Sequence, residues 1–296
     1  MIDLHTHTTY SDGTDSVGEL LQKANALNLD VISITDHDNC DAYYELEKYN
    51  PKDYYKGEII VGCEFRTSFE DRLIEVLGYG IDYKEVNEFL SDYYTTEQKD
   101  KSKTILYNRL VNKINDLGLQ PFIKKEEDIG SFFVHSLYDE LVKHPENRHL
   151  LKEDIWDSFA DFYRKGLTNP NSKIFVNLIE FNPLLGDIMD VIHQAGGLVF
   201  LAHPYQYKID DTESFLDRMY DKYNFDGIEC FYTTFTPKQT EYILDFAKKR
   251  NLLVSGGSDY HGTNKKNHDL GTGNNNLRFK GQKAVLKCKV CVDVIR

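Results

Sequence analysis

MIDLHTHTTYSD, residues 1–12, opens with Ile2 and Leu4 alternating with Asp3 and His5, the pattern of a short strand with one buried face. If the extended backbone continues, His5 and His7 project from the same side. Asp12 then stands across a polar turn that ends in Gly13. Neutral imidazole and ionised carboxylate together form a donor set for a divalent ion. A purification tag is also histidine-rich, but it would not supply an apolar strand start followed by an Asp-Gly turn. The stretch reads as a strand whose far end carries metal ligands, and the rest of the chain can be searched for more such ends.

The same order recurs downstream. Ser16 and Glu19 make a capping box ahead of Leu20, Leu21, Ala24 and Leu27, with Asn28 as the stop. In DVISITDHD (30–38), Val31, Ile32 and Ile34 form a buried strand with the polar residues gathered at its end. A helix is expected over roughly 39–50, then EIIVGCEF (58–65), where Glu64 ends an apolar run. After a turn at Glu70 and Asp71, LIEVLGYG (73–80) should run antiparallel to it. Strand, polar end and helix, repeated, signal an α/β fold with its site at one rim of a sheet or barrel.

Between about 83 and 180 that rhythm is lost. One long or broken helical region carries the stripe Ile105, Leu106, Leu110, Ile114 and Leu117. SLYDELVK (136–143) and EDIWDSFADFYRK (153–165) read as two further amphipathic helices. Residues 86–179 are thus expected to be a helical insert in a unit built from 1–85 and 180–296. The alternation resumes with a helix ending near Ala195, the strand LVFLAHP (198–204), a helix over 211–223 and FDGIECF (225–231). Pro237 opens another helix through Lys249, followed by NLLVSGGSDYHG (251–262). A loop rich in glycine and asparagine spans 262–276, and KAVLKCKVCVDVI (283–295) is expected to close the sheet as a strand or hairpin.

Composition narrows the function classes. The 35 Lys and Arg against 48 Asp and Glu give a net charge of -13, which disfavours charge-driven binding to duplex nucleic acid or an anionic membrane. A small phosphorylated substrate stays open, because bound cations can reverse the sign of a pocket locally. No signal peptide and no membrane span is legible. The five cysteines are odd in number and mostly lie in apolar runs, which suits a reducing cytoplasm. Cys288 and Cys291 form a CxxC without a second pair, inside a stretch that reads as strand.

Of the ten histidines, His5, His7, His37, His203 and His261 all stand where an apolar strand ends. Asp12, Asp36, Glu64 and Asp259 occupy similar places. Buried imidazole and carboxylate are each costly unpaired, and cations would tie them together. Asp259 and His261 repeat the spacing of His5 and His7. Asp36 or Asp38 could orient an imidazole, although Asp38 reads first as the N-cap of the helix that follows. His193 falls on a surface or packing face, and His144, His149 and His268 sit in polar surroundings and are expected to be exposed.

The motifs HTHTTYSDG, TDHD, GCE, LAHP and GGSDYHG resemble those of the PHP (polymerase and histidinol phosphatase) family of metal-dependent phosphoesterases. The nearer likeness is to a bacterial branch acting on nucleoside 3',5'-bisphosphates and, 5' to 3', on short RNA. The resemblance implies a distorted seven-stranded β/α barrel with two or three divalent ions, Mn2+, Fe2+ or Zn2+. It would place one ion on His5, His7, Glu64 and Asp259, a second on Asp12, His37 and His261, and a third on Glu64 and His203. Many relatives carry a histidine where this chain has Glu75, which can itself ligate a hard ion. His203 or His261 is a candidate to help protonate the leaving oxygen, but a ligating imidazole cannot readily do both. Arg109 and His135 resemble insert positions that meet phosphate, although this chain has Gly130-Ser131-Phe132-Phe133 where the branch often has an arginine. The reading is a phosphoesterase for a nucleotide or very short oligonucleotide, with insert aromatics such as Tyr93, Tyr94, Phe132, Phe133, Trp156 and Tyr163 able to line the entrance. A histidinol-phosphate-type phosphatase, a metal-dependent amidohydrolase and a non-catalytic metal-binding module are the alternatives.

Overall fold

The computed structural model describes residues 1–124, 129–130, 132–273 and 277. Seven strands form one sheet in sequence order: β1 (Ile2–Asp3), β2 (Val31–Ile34), β3 (Glu58–Phe69), β4 (Arg72–Tyr79), β5 (Leu198–Leu201), β6 (Gly227–Tyr232) and β7 (Leu253–Gly257). β1–β2–β3 are parallel, β4 is antiparallel to both β3 and β5, and β5–β6–β7 are again parallel. The turn at 70–71 lets β4 follow β3 directly, whereas each parallel step needs a crossover.

The two edges meet. Leu4 N–H donates to the Gly256 carbonyl at 3.1 Å, Asp259 N–H to the His5 carbonyl at 2.9 Å, and His7 N–H to the Tyr260 carbonyl at 2.8 Å. This closes the sheet into a distorted β/α barrel. The approach is close enough to need glycine: a Cβ on Gly257 would fall 2.3 Å from that of His5. Asp3, fully buried, fastens the seam by accepting from the Ser258 and Gly271 amides and the Ser258 hydroxyl.

Leu4, Val31, Ile60, Leu77, Tyr79, Phe200 and Ala202 fill the barrel interior. Outside it pack α1 (Val17–Ala26), the short α2 (Asp41–Leu46) and α3 (Tyr83–Tyr93). α1 opens with the expected Ser16–Glu19 capping box, and Asn28 beyond it takes a left-handed φ of 53°. α2 is shorter than expected, and its N-cap is Cys40, not Asp38. Asp38 has a left-handed φ of 49°, which an N-cap does not adopt, and its carboxylate is turned onto Arg66.

The helical region of the insert is broken at Tyr94–Thr95, where a second capping box starts α4 (Thr96–Asp116). α5 (Phe133–Leu141), α6 (Asn147–Leu150), α7 (Phe159–Asp161) and a π-helical turn at Phe162–Leu167 follow. Trp156 precedes α7 instead of riding on it. These elements share their own core, including Leu110, Ile114, Leu141, Trp156, Phe162 and Ile174. α8 (Leu185–Gln194), α9 (Thr212–Tyr223) and α10 (Pro237–Arg250) complete the barrel's outer layer. No helix among the described residues is long and apolar enough to cross a membrane. The expected terminal strand, with Cys288 and Cys291, lies outside the described residues. Cys40, Cys63 and Cys230 are buried free thiols.

Candidate metal centre

Segments following four parallel strands and the middle of the β3–β4 hairpin converge at one rim. His5 and His7 come from the extension of β1, His37 follows β2, Glu64 and Glu75 sit on β3 and β4, His203 follows β5, and Asp259 and His261 follow β7. Three positions there hold non-glycine residues at positive φ: Asp38 (49°), His203 (21°) and Asp259 (55°). Such backbone is costly and persists where surrounding structure fixes it.

Three imidazole nitrogens approach a single oxygen. His5 Nε2, His7 Nε2 and His37 Nδ1 lie 3.1, 3.2 and 3.3 Å from Glu64 Oε2. All three are buried and make no hydrogen bond among the described residues, as is also true of His203 Nδ1. Asp259 Oδ1 lies 3.4 Å from His7 Nε2 and 3.3 Å from His261 Nδ1. Asp12, nearly half exposed, reaches His261 Nε2 at 3.1 Å and His37 Nε2 at 3.7 Å. Four overlapping trios or quartets could each hold a cation: His7, Asp12, His37 and His261; His5, His7 and Glu64; His5, His203 and Asp259; and Glu64, Glu75 and His203. Unpartnered buried nitrogens gathered on carboxylate oxygens are a donor set that fits divalent ions.

Charge bears on this arrangement. Burial by itself disfavours every charge here, but Glu64, Glu229 and Asp259 outweigh it and raise His5 well above the ordinary range. For His7, the neighbouring Asp259 and Glu64 carboxylates overcome burial and push the pKa up to about 10. Despite burial, Asp259 is held well below the usual carboxylate range by Lys265 and the histidines. Burial lowers His37. Without cations the cluster balances its carboxylates with protons.

A shell of supports holds these groups. Glu229 Oε1 bonds His5 Nδ1 at 3.1 Å, and its Oε2 accepts from the His203 amide at 2.9 Å. Tyr232 Oη donates to Asp259 Oδ2 at 2.5 Å, where Lys265 Nζ also bonds. Asp36 accepts from the Thr8 amide and hydroxyl and from the Ser11 hydroxyl, fixing the loop before Asp12. Arg66 donates through its amide and Nε to Asp38 at 2.9 and 2.5 Å. Arg164 Nη2 donates to Glu75 Oε2 at 2.7 Å. Glu229 escaped the sequence reading although GIECF carries the same signal as GCE, an acid inside an apolar run. Arg66, Arg164 and Lys265 gave no local signal.

The centre opens into a cleft of about 750 Å³ whose walls include Asp12, His37, Arg66, Tyr93, Tyr94, Lys99, Lys103 and Tyr163. Neither of the two candidates from the insert is among its lining residues, although Arg109 packs on Glu180 and Phe181, which are. Arg109 bonds Glu180 and the Asn177 carbonyl. His135 stacks on Phe159 and makes no contact with the cluster among the described residues. Of the insert aromatics, Phe133 and Trp156 are core and Phe132 is exposed. His268, expected at the surface, is buried and donates Nδ1–H to the Ser258 carbonyl at 2.8 Å. His193 is partly exposed and pairs with Asp226.

Comparison with known proteins agrees with this architecture. The chain is 25% identical over 268 residues to the 5'-3' exoribonuclease Rnm of Escherichia coli, covering 88% of this chain and 84% of that one. It is 22% identical to a phosphoribosyl 1,2-cyclic phosphate 1,2-diphosphodiesterase of Eggerthella lenta, with 88% and 94% covered. An amidohydrolase structure from Chromobacterium violaceum superposes with a TM-score of 0.64 at 19% identity, over 91% of this chain and 89% of that one; at that identity the likeness concerns the fold alone. The model of the PHP domain matches residues 3–234. With a closed seven-stranded barrel, histidines and carboxylates gathered at its rim, and this match across most of its length, the chain belongs to the PHP domain family.

Proposed function

We propose that this chain is a metal-dependent phosphoesterase whose substrate is a nucleotide or a very short oligonucleotide. The observation that carries the reading is the convergence of three unpartnered imidazole nitrogens on Glu64 Oε2, one of them on His37, which lines the cleft. His5, His7, Asp12, His37, Glu64, His203, Asp259 and His261 would hold two or three ions of the Mn2+, Fe2+ or Zn2+ type, with Glu75 beside them. Bound there, such ions would activate water and neutralise phosphate charge.

The chain's own groups do the rest. Glu229 fixes the orientation of His5, and Tyr232 with Lys265 fixes Asp259. Arg66 lines the cleft beside His37, and no hydrogen bond among the described residues engages its terminal nitrogens. Lys99 and Lys103 add positive charge on the α4 wall, within a chain of net charge -13. Tyr94 and Tyr163 offer ring faces for a base. Within 86–179, the elements from α4 onward form the cover of the site, while α3 packs with the catalytic barrel built from 1–85 and the described residues of 180–277. The names of the relatives, an exoribonuclease and a cyclic phosphodiesterase, favour a nucleotide-like ester over an amide. Buried free thiols suit a reducing cytoplasm.

The test is turnover, in the presence of Mn2+, of a nucleoside 3',5'-bisphosphate, a short RNA, a sugar phosphate and an aryl phosphate. His37→Ala and Asp259→Ala should each lower phosphoester hydrolysis at least a hundredfold while circular dichroism stays native. Full activity in either variant, or a strong preference for the sugar phosphate, overturns the corresponding part of the reading.

A further inference from the structure

Arg164 lies inside the π-helical turn Phe162–Leu167, where Thr168 N–H reaches back to the Tyr163 carbonyl at 2.9 Å. Such wide turns are rare and recur at functional sites. From this one, the guanidinium passes 5.5 Å from the Tyr163 ring centre and meets Glu75 on the barrel. Among the described residues it makes the one ion pair between the insert and a candidate metal ligand.

The oxygen it engages is contested. Glu75 Oε2, 2.7 Å from Arg164 Nη2, is also 3.7 Å from His203 Nε2, which in turn lies 2.9 Å from Glu64 Oε1. Glu64, Glu75 and His203 are one of the groups that could hold a cation. A divalent ion there would have to share Glu75 with a guanidinium that cannot shed its proton. Both side chains are largely removed from water, so like charges are poorly screened. The carboxylate is already neutralised, and planar guanidinium is well suited to keep it so.

On the reading that this is a metal-dependent centre, we propose that Arg164 stands in for a cation at Glu64, Glu75 and His203. The chain then holds two divalent ions and one fixed guanidinium. The insert supplies that charge itself, and its attachment to the barrel at this point needs no ion.

Counting ions tests this without reference to turnover. Wild-type chain, Arg164→Met and Arg164→Lys are loaded with Mn2+, freed of excess by gel filtration and analysed for manganese per chain, with melting curves to verify folding. Two ions are expected in wild type and in Arg164→Lys, which keeps the charge, and three in Arg164→Met. A third ion in wild type overturns the proposal, and this measurement stands even if Arg164→Met fails to fold. A folded Arg164→Met that still holds two also overturns it. A wild-type chain that takes up no Mn2+ is a separate result, because it removes the metal-dependent reading itself.

Discussion

Glu229 has no exposed surface, and both of its oxygens face the centre, one on His5 Nδ1 and the other on the His203 amide. A carboxylate behind a ligating imidazole fixes its tautomer and orientation. Glu229→Ala should therefore weaken Mn2+ binding by about 10- to 100-fold, read by calorimetric titration on protein whose circular dichroism is native. Unchanged affinity would reduce Glu229 to a packing residue. Most of the candidate ligands were legible because they lie at the polar end of an apolar run, and Glu64 and Glu75, inside strands, were marked by the family likeness as well. Glu229 lies inside a strand without that help, so its role depends on what faces it across the barrel. Arg66 and Arg164 were hidden for another reason: their partners, Asp38 and Glu75, are 28 and 89 residues away in sequence. Local pattern carries no information about such pairings, and Asp38 was accordingly read as a helix cap.

At the scale of elements, the insert has a hydrophobic core separate from the two of the barrel. Leu110 on α4 is fully buried within it. Leu110→Ala should cost about 2–5 kcal/mol of local stability, the usual range for a buried leucine. The expected outcome is faster limited proteolysis within 96–178 with Mn2+ affinity unchanged. Loss of Mn2+ binding in step with proteolysis would mean that insert and centre are one cooperative unit. α4 was legible here from its apolar stripe alone, and the capping box at Thr95 went unread. The segment around Trp156 was not, because tertiary packing of its rings replaces a regular turn. The closed barrel itself came from the strand alternation together with the family likeness. Alternation alone left sheet and barrel open, since closure depends on contacts between residues 4–7 and 256–260.

For the whole molecule, removing the ions should couple stability to pH. In the ion-free chain His7 titrates at about 10, with Asp259 and Glu64 overcoming the effect of burial; its ordinary value is 6.5. A group raised in this way contributes its stability fully below the unfolded value, and the contribution is lost as pH rises through the folded one. The stripped protein should lose Tm between about pH 6.5 and 10. Ions displace those protons and bind better as pH rises. The gap in Tm between Mn2+-loaded and stripped protein is thus expected to widen across this window. A gap that is constant or narrows would show that the histidines hold no protons in the stripped state.

The seam between residues 4–7 and 256–260 brings His5 and His7 beside Asp259 and His261. During synthesis the second pair leaves the ribosome some 250 residues after the first, at least ten seconds or so at ordinary translation rates. A nascent or prematurely terminated chain can present histidines to the cell's metal pool but cannot assemble this centre. On the proposed reading, hydrolytic competence is therefore conferred at a single late moment, and an abandoned fragment carries none of it.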